Sequence, residues 1–138
     1  MWYYEDKEFN PAEHDYESLA GFVYLITNLE NNKKYVGKKN FWSTRRLPPL
    51  KGKSRRRVKK IESNWMEYYG SNEELNLLVE STSPDQFKRE ILWLCKGKGE
   101  MSYLELKEQV DREVLFKDDY YNEFVGAKIH SKHVKNLK

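Results

Sequence analysis

Cysteine is almost absent from this chain of 138 residues, which contains only Cys95. A single cysteine excludes an intrachain disulfide, and the apolar neighbours of Cys95 predict a buried thiol in a reducing environment. Long apolar runs are absent too: none approaches the roughly 18 residues of a membrane span, and the acidic first residues lack the layout of a signal peptide. We therefore expect a cytoplasmic protein, without a membrane partner, in which a single domain carries the function.

Acidic residues are missing from one long segment, although the net charge of the chain is only +3. Between Lys33 and Lys60 every charged residue is Lys or Arg. Such a segment attracts polyanions, because its uncompensated charges repel one another until a ligand relieves them. A solvated, disordered loop is the alternative interpretation. We predict that the nucleic-acid backbone is bound by Lys38, Arg46, Lys51, Lys53, Arg55, Arg56, Arg57, Lys59 and Lys60.

Several familiar site patterns are also missing. The three histidines, His14, His130 and His133, form no zinc pattern with one cysteine. The sequence contains no glycine-rich phosphate loop, no GxSxG turn and no dinucleotide fingerprint. Any chemistry must therefore use residues that these motifs do not mark.

Hydrophobic patterning predicts an α/β domain with the element order β-β-α-α-β-α. The predicted strands are 22–27, 33–37 and 87–95, and the predicted helices are 58–69, 72–83 and 102–117. The prolines and dense positive charge of residues 40–57 predict a mobile loop. We expect an acidic arm over residues 1–20 that packs against the domain, a domain over 21–127 and a short basic tail over 128–138.

Two tripeptides on the predicted hairpin resemble the signature of the GIY-YIG nucleases. Phe22-Val23-Tyr24 stands where the family has Gly-Ile-Tyr, and Tyr35-Val36-Gly37 stands where it has Tyr-Ile-Gly. A cross-strand tyrosine pair by itself is usually packing. The resemblance gains weight because Arg45, a helical Glu105 and Asn122 follow in the family's order. Both tyrosines and the second glycine of the signature are kept.

The resemblance implies a small three-stranded, mainly antiparallel sheet flanked by helices, and a metal-dependent endonuclease that hydrolyses DNA phosphodiesters. Residues 65–71 further resemble a segment of Seg-type phage homing endonucleases of this family. Mg²⁺ is the implied ion, with Mn²⁺ as a substitute, because Mg²⁺ keeps several waters and one carboxylate, Glu105, can hold it. Glu105 also suits a solvated helix face, and Glu108 is the second choice of ligand.

The resemblance assigns roles residue by residue. Arg45 offers two parallel donors to a phosphate, a role for which Arg46 competes. Tyr24 is implied as the general base, which requires a cation, Lys38 or Lys39, to lower its pKa from about 10. Asn122 holds the geometry of the site or binds phosphate. The predicted catalytic residues are Tyr24, Tyr35, Arg45, Lys39, Tyr69 in place of a family His, Glu105 and Asn122, with Glu105 as the metal ligand.

Two other interpretations stay open. The altered first tripeptide and the missing His favour a catalytically inactive nucleic-acid-binding protein on the same scaffold. An RNA-directed protein is the second, since phosphate contacts do not distinguish the two polymers. We expect duplex DNA as the partner of a monomer or a homodimer, while its target sequence is not implied.

Overall fold

The computed structural model describes residues 1–55 and 57–126. They form seven strands and two α-helices, joined by short 3₁₀ turns. The strands are β1 (Trp2–Tyr4), β2 (Lys7–Glu8), β3 (Gly21–Asn28), β4 (Lys34–Asn40), β5 (Trp42–Leu47), β6 (Arg57–Glu62) and β7 (Phe87–Cys95). The helices are α1 (Glu73–Ser81) and α2 (Lys98–Asp111). No helix in this part of the chain is long and apolar enough to cross a membrane.

The central sheet has the strand order β2-β1-β7-β3-β4 and is mixed, because β1 runs parallel to β7 while the other pairs are antiparallel. The predicted α/β class and the β3–β4 hairpin are confirmed. The predicted number of strands is wrong: the sheet has five strands, since β1 and β2 come from the segment predicted to be an arm. Trp2 anchors them, being only 3% exposed. The many acidic residues of this segment led to its prediction as an arm, although Trp2 is an apolar anchor.

The two faces of the sheet bury separate clusters, and β3 contributes to both. Phe22, Tyr24 and Ile26 point to one face, where they pack with residues including Trp2 and Trp65. Val23, Leu25 and Val36 point to the other, where they pack against Met101 and Leu104 of α2. This explains why β3 is an unbroken apolar run, since a strand covered on both faces shows no alternation. Cys95 is buried, as predicted.

The predictions for α1, β7 and α2 are confirmed in kind. Asn72 caps α1 by accepting a hydrogen bond from the Leu75 N–H, the N-cap geometry that the sequence predicts. The prediction for α2 is wrong at both ends, because the helix begins at Lys98 and ends at Asp111. Gly97 takes the N-cap position. The residues after Asp111 form turns whose Val114 folds back onto the core.

The predicted loop over 40–57 and the predicted helix over 58–69 are both wrong. Strands β5 and β6 pair antiparallel as a separate two-stranded sheet, which we call the β-ribbon, with their connecting residues at its tip. The helical spacing was a coincidence: Val58 is 64% exposed on the ribbon, whereas Trp65 is buried in a 3₁₀ turn. Arg56 and the predicted tail over 128–138 lie outside the described residues.

Candidate active site at the edge of the sheet

Tyr24 and Tyr35 lie together on the sheet face opposite α2, with ring centroids 6.2 Å apart. Tyr24 pairs in register with Gly37 on the edge strand β4. A Cβ atom on Gly37 would lie 2.3 Å from the Tyr24 hydroxyl oxygen. The phenol of Tyr24 therefore crosses directly over Gly37 toward the edge of the sheet. Only glycine leaves room for it, which gives the glycine of the second tripeptide a steric role in this chain.

Glu105 approaches the same edge from the α2 side. Its side chain is half-buried, and its pKa is raised, because burial penalises the carboxylate while the ammonium and backbone N–H of Lys38 oppose this effect only in part. Burial is the main cause that raises the pKa of both Tyr24 and Tyr35, and the Glu105 carboxylate adds a smaller contribution to each. The carboxylate and the two phenols therefore share one electrostatic site, built around β4.

Asn122 completes the edge through the backbone of β4. Its Oδ1 accepts from the Val36 N–H at 3.0 Å, and its Nδ2 donates to the Val36 carbonyl at 2.9 Å. The side-chain amide thus imitates a neighbouring strand and satisfies an edge that would otherwise be open. The nearby Gln109 also donates to the Val36 carbonyl, at 3.2 Å. Both ends of the Asn122 amide are therefore engaged by the backbone of Val36, and its predicted role in the site stays a prediction.

The segment after the 3₁₀ turn Trp65–Glu67 closes the tyrosine face. The Tyr68 ring meets that of Tyr24 edge-on, with centroids 6.0 Å apart. Ser71 Oγ lies 2.9 Å from the Tyr35 hydroxyl oxygen. Gly70 has φ +92°, and a Cβ there would lie 3.2 Å from the Tyr35 ring, so this close turn favours glycine.

Tyr69, the predicted substitute for the family His, lies elsewhere. Its ring packs on Phe87 and on the guanidinium of Arg89, 4.2 Å from the ring centroid. The neighbouring Tyr68 is the residue of this pair that contacts Tyr24. The sequence could not separate them, because two adjacent tyrosines leading into a loop have no periodicity that assigns a face.

Arg89 on β7 is a supporting residue that sequence reasoning missed. It is 3% exposed and lies between the rings of Trp2 and Tyr69. Its Nη1 donates to the carbonyls of Met66 and Tyr68, both at 2.9 Å. One buried cation therefore ties strand β7 to the loop that carries Tyr68. The only sequence signal was a charged residue at an inward-facing position between the apolar Phe87 and Ile91.

The pKa of the predicted base, Tyr24, moves in the direction opposite to the one expected. The pKa of Tyr24 is raised well above 10, first by burial and then by Tyr68, Tyr35 and Glu105. The predicted lowering by Lys38 and Lys39 is absent from these causes. Lys38 Nζ instead donates to Ser102 Oγ on α2 at 2.7 Å. Lys39 Nζ lies over the Tyr68 ring, 4.2 Å from its centroid, and burial lowers the pKa of Lys39.

A cavity of about 350 Å³ opens beside Tyr35 and Glu105. Tyr35 and Glu105 both line it, together with Ser71, Asn122 and the further carboxylates Glu73 and Glu123. Its walls are therefore rich in oxygen atoms, the ligand type that Mg²⁺ prefers. In the described part of the chain, no three His, Cys, Asp or Glu side chains are grouped to hold a metal ion. A half-buried carboxylate whose pKa is raised by burial nevertheless suits a divalent cation with few protein ligands.

The basic residues predicted to bind nucleic acid lie mainly on the β-ribbon. Arg45 is exposed on β5 opposite Lys59 on β6, and it does not line the cavity of Glu105 and Tyr35. Its predicted role at the scissile phosphate stays a prediction. The other described residues of the predicted set on the ribbon are exposed as well: Arg46, Lys51, Lys53, Arg55, Arg57, Lys59 and Lys60.

The sequence model of the family described as "Putative endonuclease segE, GIY-YIG domain" matches residues 2–125. This match covers most of the chain, including β1 and β2, and the chain belongs to this GIY-YIG family. No curated protein and no solved structure matches it. The family assigns the chain to the nucleases and implies a nucleic-acid substrate.

Proposed function

We propose that this protein is a metal-dependent endonuclease that hydrolyses DNA phosphodiesters. The observation that carries the proposal is the half-buried carboxylate of Glu105 beside the phenols of Tyr24 and Tyr35. Phosphodiester hydrolysis requires a placed water and stabilisation of negative charge in the transition state. The proposal rests on the family and on this arrangement, and a homing or restriction-type role would be its biological form.

Glu105 is the proposed ligand of Mg²⁺ or Mn²⁺. A divalent cation there would supply charge stabilisation for the phosphate in the transition state. The carboxylate is partly withdrawn from water and only incompletely compensated by Lys38, so binding a cation would relieve the cost of its burial. The cavity that Glu105 lines has room for waters and for one phosphate group.

Tyr24 is the proposed acceptor of the proton from the attacking water. In the free protein it holds its own proton, because burial raises the pKa of its phenol. Burial is the main cause of this raised pKa and the Glu105 carboxylate a smaller one, so Tyr24 must release its own proton to solvent before it can accept one from the water, and a cation at Glu105 would assist that release. Tyr35, linked to Ser71, would orient the water. Activity should therefore rise with pH across the neutral range.

The test uses supercoiled plasmid incubated with the protein in Mg²⁺, in Mn²⁺ and in EDTA. We expect nicking or linearisation in the metal-containing reactions and none in EDTA. Glu105→Gln keeps the shape of the side chain and should lose cleavage by a factor of at least about 10². The matched control is Glu108→Gln, a neighbouring carboxylate of α2 that bonds to Arg112 and Trp93 rather than lining the cavity.

A catalytically inactive nucleic-acid-binding protein is the second candidate. The observation that favours it is the raised pKa of both phenols, which leaves neither tyrosine ready as a base at neutral pH. Intact plasmid under every metal condition, with a salt-sensitive gel shift that Glu105→Gln leaves unchanged, would support this candidate and contradict the nuclease.

A further inference from the structure

The β-ribbon has two faces of different character, because side chains alternate along each strand. The face that we call the basic face carries Ser43, Arg45, Leu47, Arg57, Lys59 and Ile61. The face that we call the packed face carries Trp42, Thr44, Arg46, Val58, Lys60 and Glu62. All the charged side chains of the basic face are cationic, whereas the packed face includes a carboxylate.

The packed face is held against the N-terminal segment. Lys60 Nζ lies over the Trp42 ring, 4.2 Å from its centroid, and 3.8 Å from the Glu17 carboxylate. The Tyr16 hydroxyl donates to the carboxylate of Glu62. Trp42 Nε1 donates to a backbone carbonyl of the same segment, at 3.0 Å. These contacts fix the ribbon to the domain and place two carboxylates on this side, where they would repel phosphates.

The basic face has no such compensation. Arg45 lies directly opposite Lys59, and no carboxylate among the described residues pairs with either cation. Like charges at opposed positions destabilise a strand pair, and a two-stranded ribbon alone is marginal in water. A polyanion on this face would remove the repulsion between the two cations. The repulsion between Arg45 and Lys59 thus favours binding of a negatively charged partner to the basic face.

The side chains and the shape of the ribbon indicate which nucleic acid it binds: a single strand, an RNA duplex or a DNA duplex. The basic face carries no aromatic side chain, so it offers no platform on which single-stranded bases could stack. A two-stranded ribbon fits the major groove of B-form DNA, which is about 12 Å wide, but not the deep and narrow major groove of an A-form RNA duplex. Resting on the nuclease function proposed above, we propose that the basic face of the β-ribbon enters the major groove of B-form duplex DNA and holds it for cleavage at Glu105.

This assignment gives Arg45 a different task from the one predicted. On the ribbon, Arg45 contacts the DNA duplex beside Lys59. The sequence-based prediction placed it instead on the phosphate that is cleaved. Arg46 follows Arg45 in the chain but lies on the packed face. The pair is a matched test, because the same charge is removed from adjacent residues of the same strand and only the face differs.

The experiment measures binding by fluorescence anisotropy in EDTA over a range of salt concentrations. The probes are one sequence presented as a DNA duplex, as single-stranded DNA and as an RNA duplex. We expect the unmodified protein to bind the DNA duplex most tightly. Arg45→Gln and Lys59→Gln should each weaken duplex binding several-fold and reduce the slope of log K against log salt by about 0.9, one phosphate contact each.

Two variants control for face and for net charge. Arg46→Gln should weaken duplex binding less than Arg45→Gln does. Lys7→Gln makes the same change in net charge on β2, at the opposite edge of the sheet from β4. It should leave the salt slope within error. Thermal unfolding of every variant tests whether the ribbon substitutions act on binding rather than on folding, and we expect unchanged melting temperatures.

Three results would overturn this inference. They are equal losses in Arg45→Gln and Arg46→Gln, binding of single strands or RNA as tight as binding of the DNA duplex, and loss of cleavage in Arg45→Gln at unchanged duplex affinity. Each leaves the nuclease proposal intact, because that proposal is tested by plasmid cleavage. Conversely, a protein that never cleaves but loses duplex binding through the basic face would contradict the nuclease while supporting the ribbon assignment.

Discussion

Replacing Gly37 by Ala tests whether the Tyr24 phenol crosses the edge strand as the structure has it. A Cβ atom at this position would lie 2.3 Å from the Tyr24 hydroxyl oxygen and 2.6 Å from its Cζ. Both distances are well inside van der Waals contact, so the phenol must move. Without this contact the same substitution would stabilise the protein, because Ala has less freedom than Gly in the unfolded chain, by about 0.4–1 kcal/mol. The two expectations differ in sign.

We expect Gly37→Ala to lower the free energy of unfolding by about 2 kcal/mol, the middle of the usual range of about 1–3 kcal/mol for an overpacked core. The Tyr24 ring is 1% exposed, with Trp2 and Tyr68 against it, so it has no free space into which it can turn. Urea denaturation followed by tryptophan fluorescence measures the change. Plasmid cleavage should fall as well, since the displaced phenol leaves its place beside Glu105.

Two comparisons isolate the contact. Gly126→Ala, with nothing within 4 Å of the added Cβ, should change stability by less than about 0.5 kcal/mol. In the background of Tyr24→Leu, which lacks the clashing atoms, Gly37→Ala should cost much less than in the unmodified protein. Equal costs in both backgrounds, or a Gly37→Ala protein as stable as the unmodified one, would refute the reasoning.

Three further substitutions test the supports of the site. Asn122→Asp sets a carboxylate oxygen against the Val36 carbonyl and removes a donor, so urea denaturation should show a loss of about 2 kcal/mol, whereas a neutral outcome would mean that the amide is not needed. Arg89→Met leaves two partly buried carbonyls without their donor and should cost about 2 kcal/mol with reduced cleavage; full activity would refute its positioning role. Because the pKa of Glu105 is raised in the folded state, its ionisation costs stability as pH rises from the ordinary glutamate pKa through the raised value. Glu105→Gln should therefore be more stable than the unmodified protein at pH 7 but not at pH 3, and Mg²⁺ should raise the melting temperature of the unmodified protein only.

The parts of the fold that the sequence predicts are those in which local pattern and tertiary environment agree. Strand β3 is an unbroken apolar run because both of its faces are covered, and α1 carries its own N-cap at Asn72. The hairpin brings Tyr24 and Tyr35 onto one face through its register alone. These features need no information from distant residues, so they can be read from neighbours in the chain.

The β-ribbon and strand β1 could not be read in this way, because distant contacts stabilise them. Residues 57–62 are mostly charged and exposed, and they pair with β5 across a long connection. Their attachment to the domain depends on Lys60 over Trp42 and on Tyr16 from the N-terminal segment. Likewise, β1 is held through Trp2, whose indole donates to the carbonyl of Trp65. A pattern read residue by residue contains none of these pairings.

The candidate site follows from the need to protect an edge strand. A sheet that ends in β4 exposes backbone donors and acceptors, and such edges invite pairing with other chains. Here Asn122 occupies the backbone groups of Val36, and Glu105 lies at the backbone N–H of Lys38. Since Gly37, between these two positions, has no side chain, the protected edge also admits the Tyr24 phenol from the other face. Substitutions that disturb the edge should therefore reduce stability and cleavage together, whereas substitutions on the basic face of the ribbon should reduce DNA affinity alone.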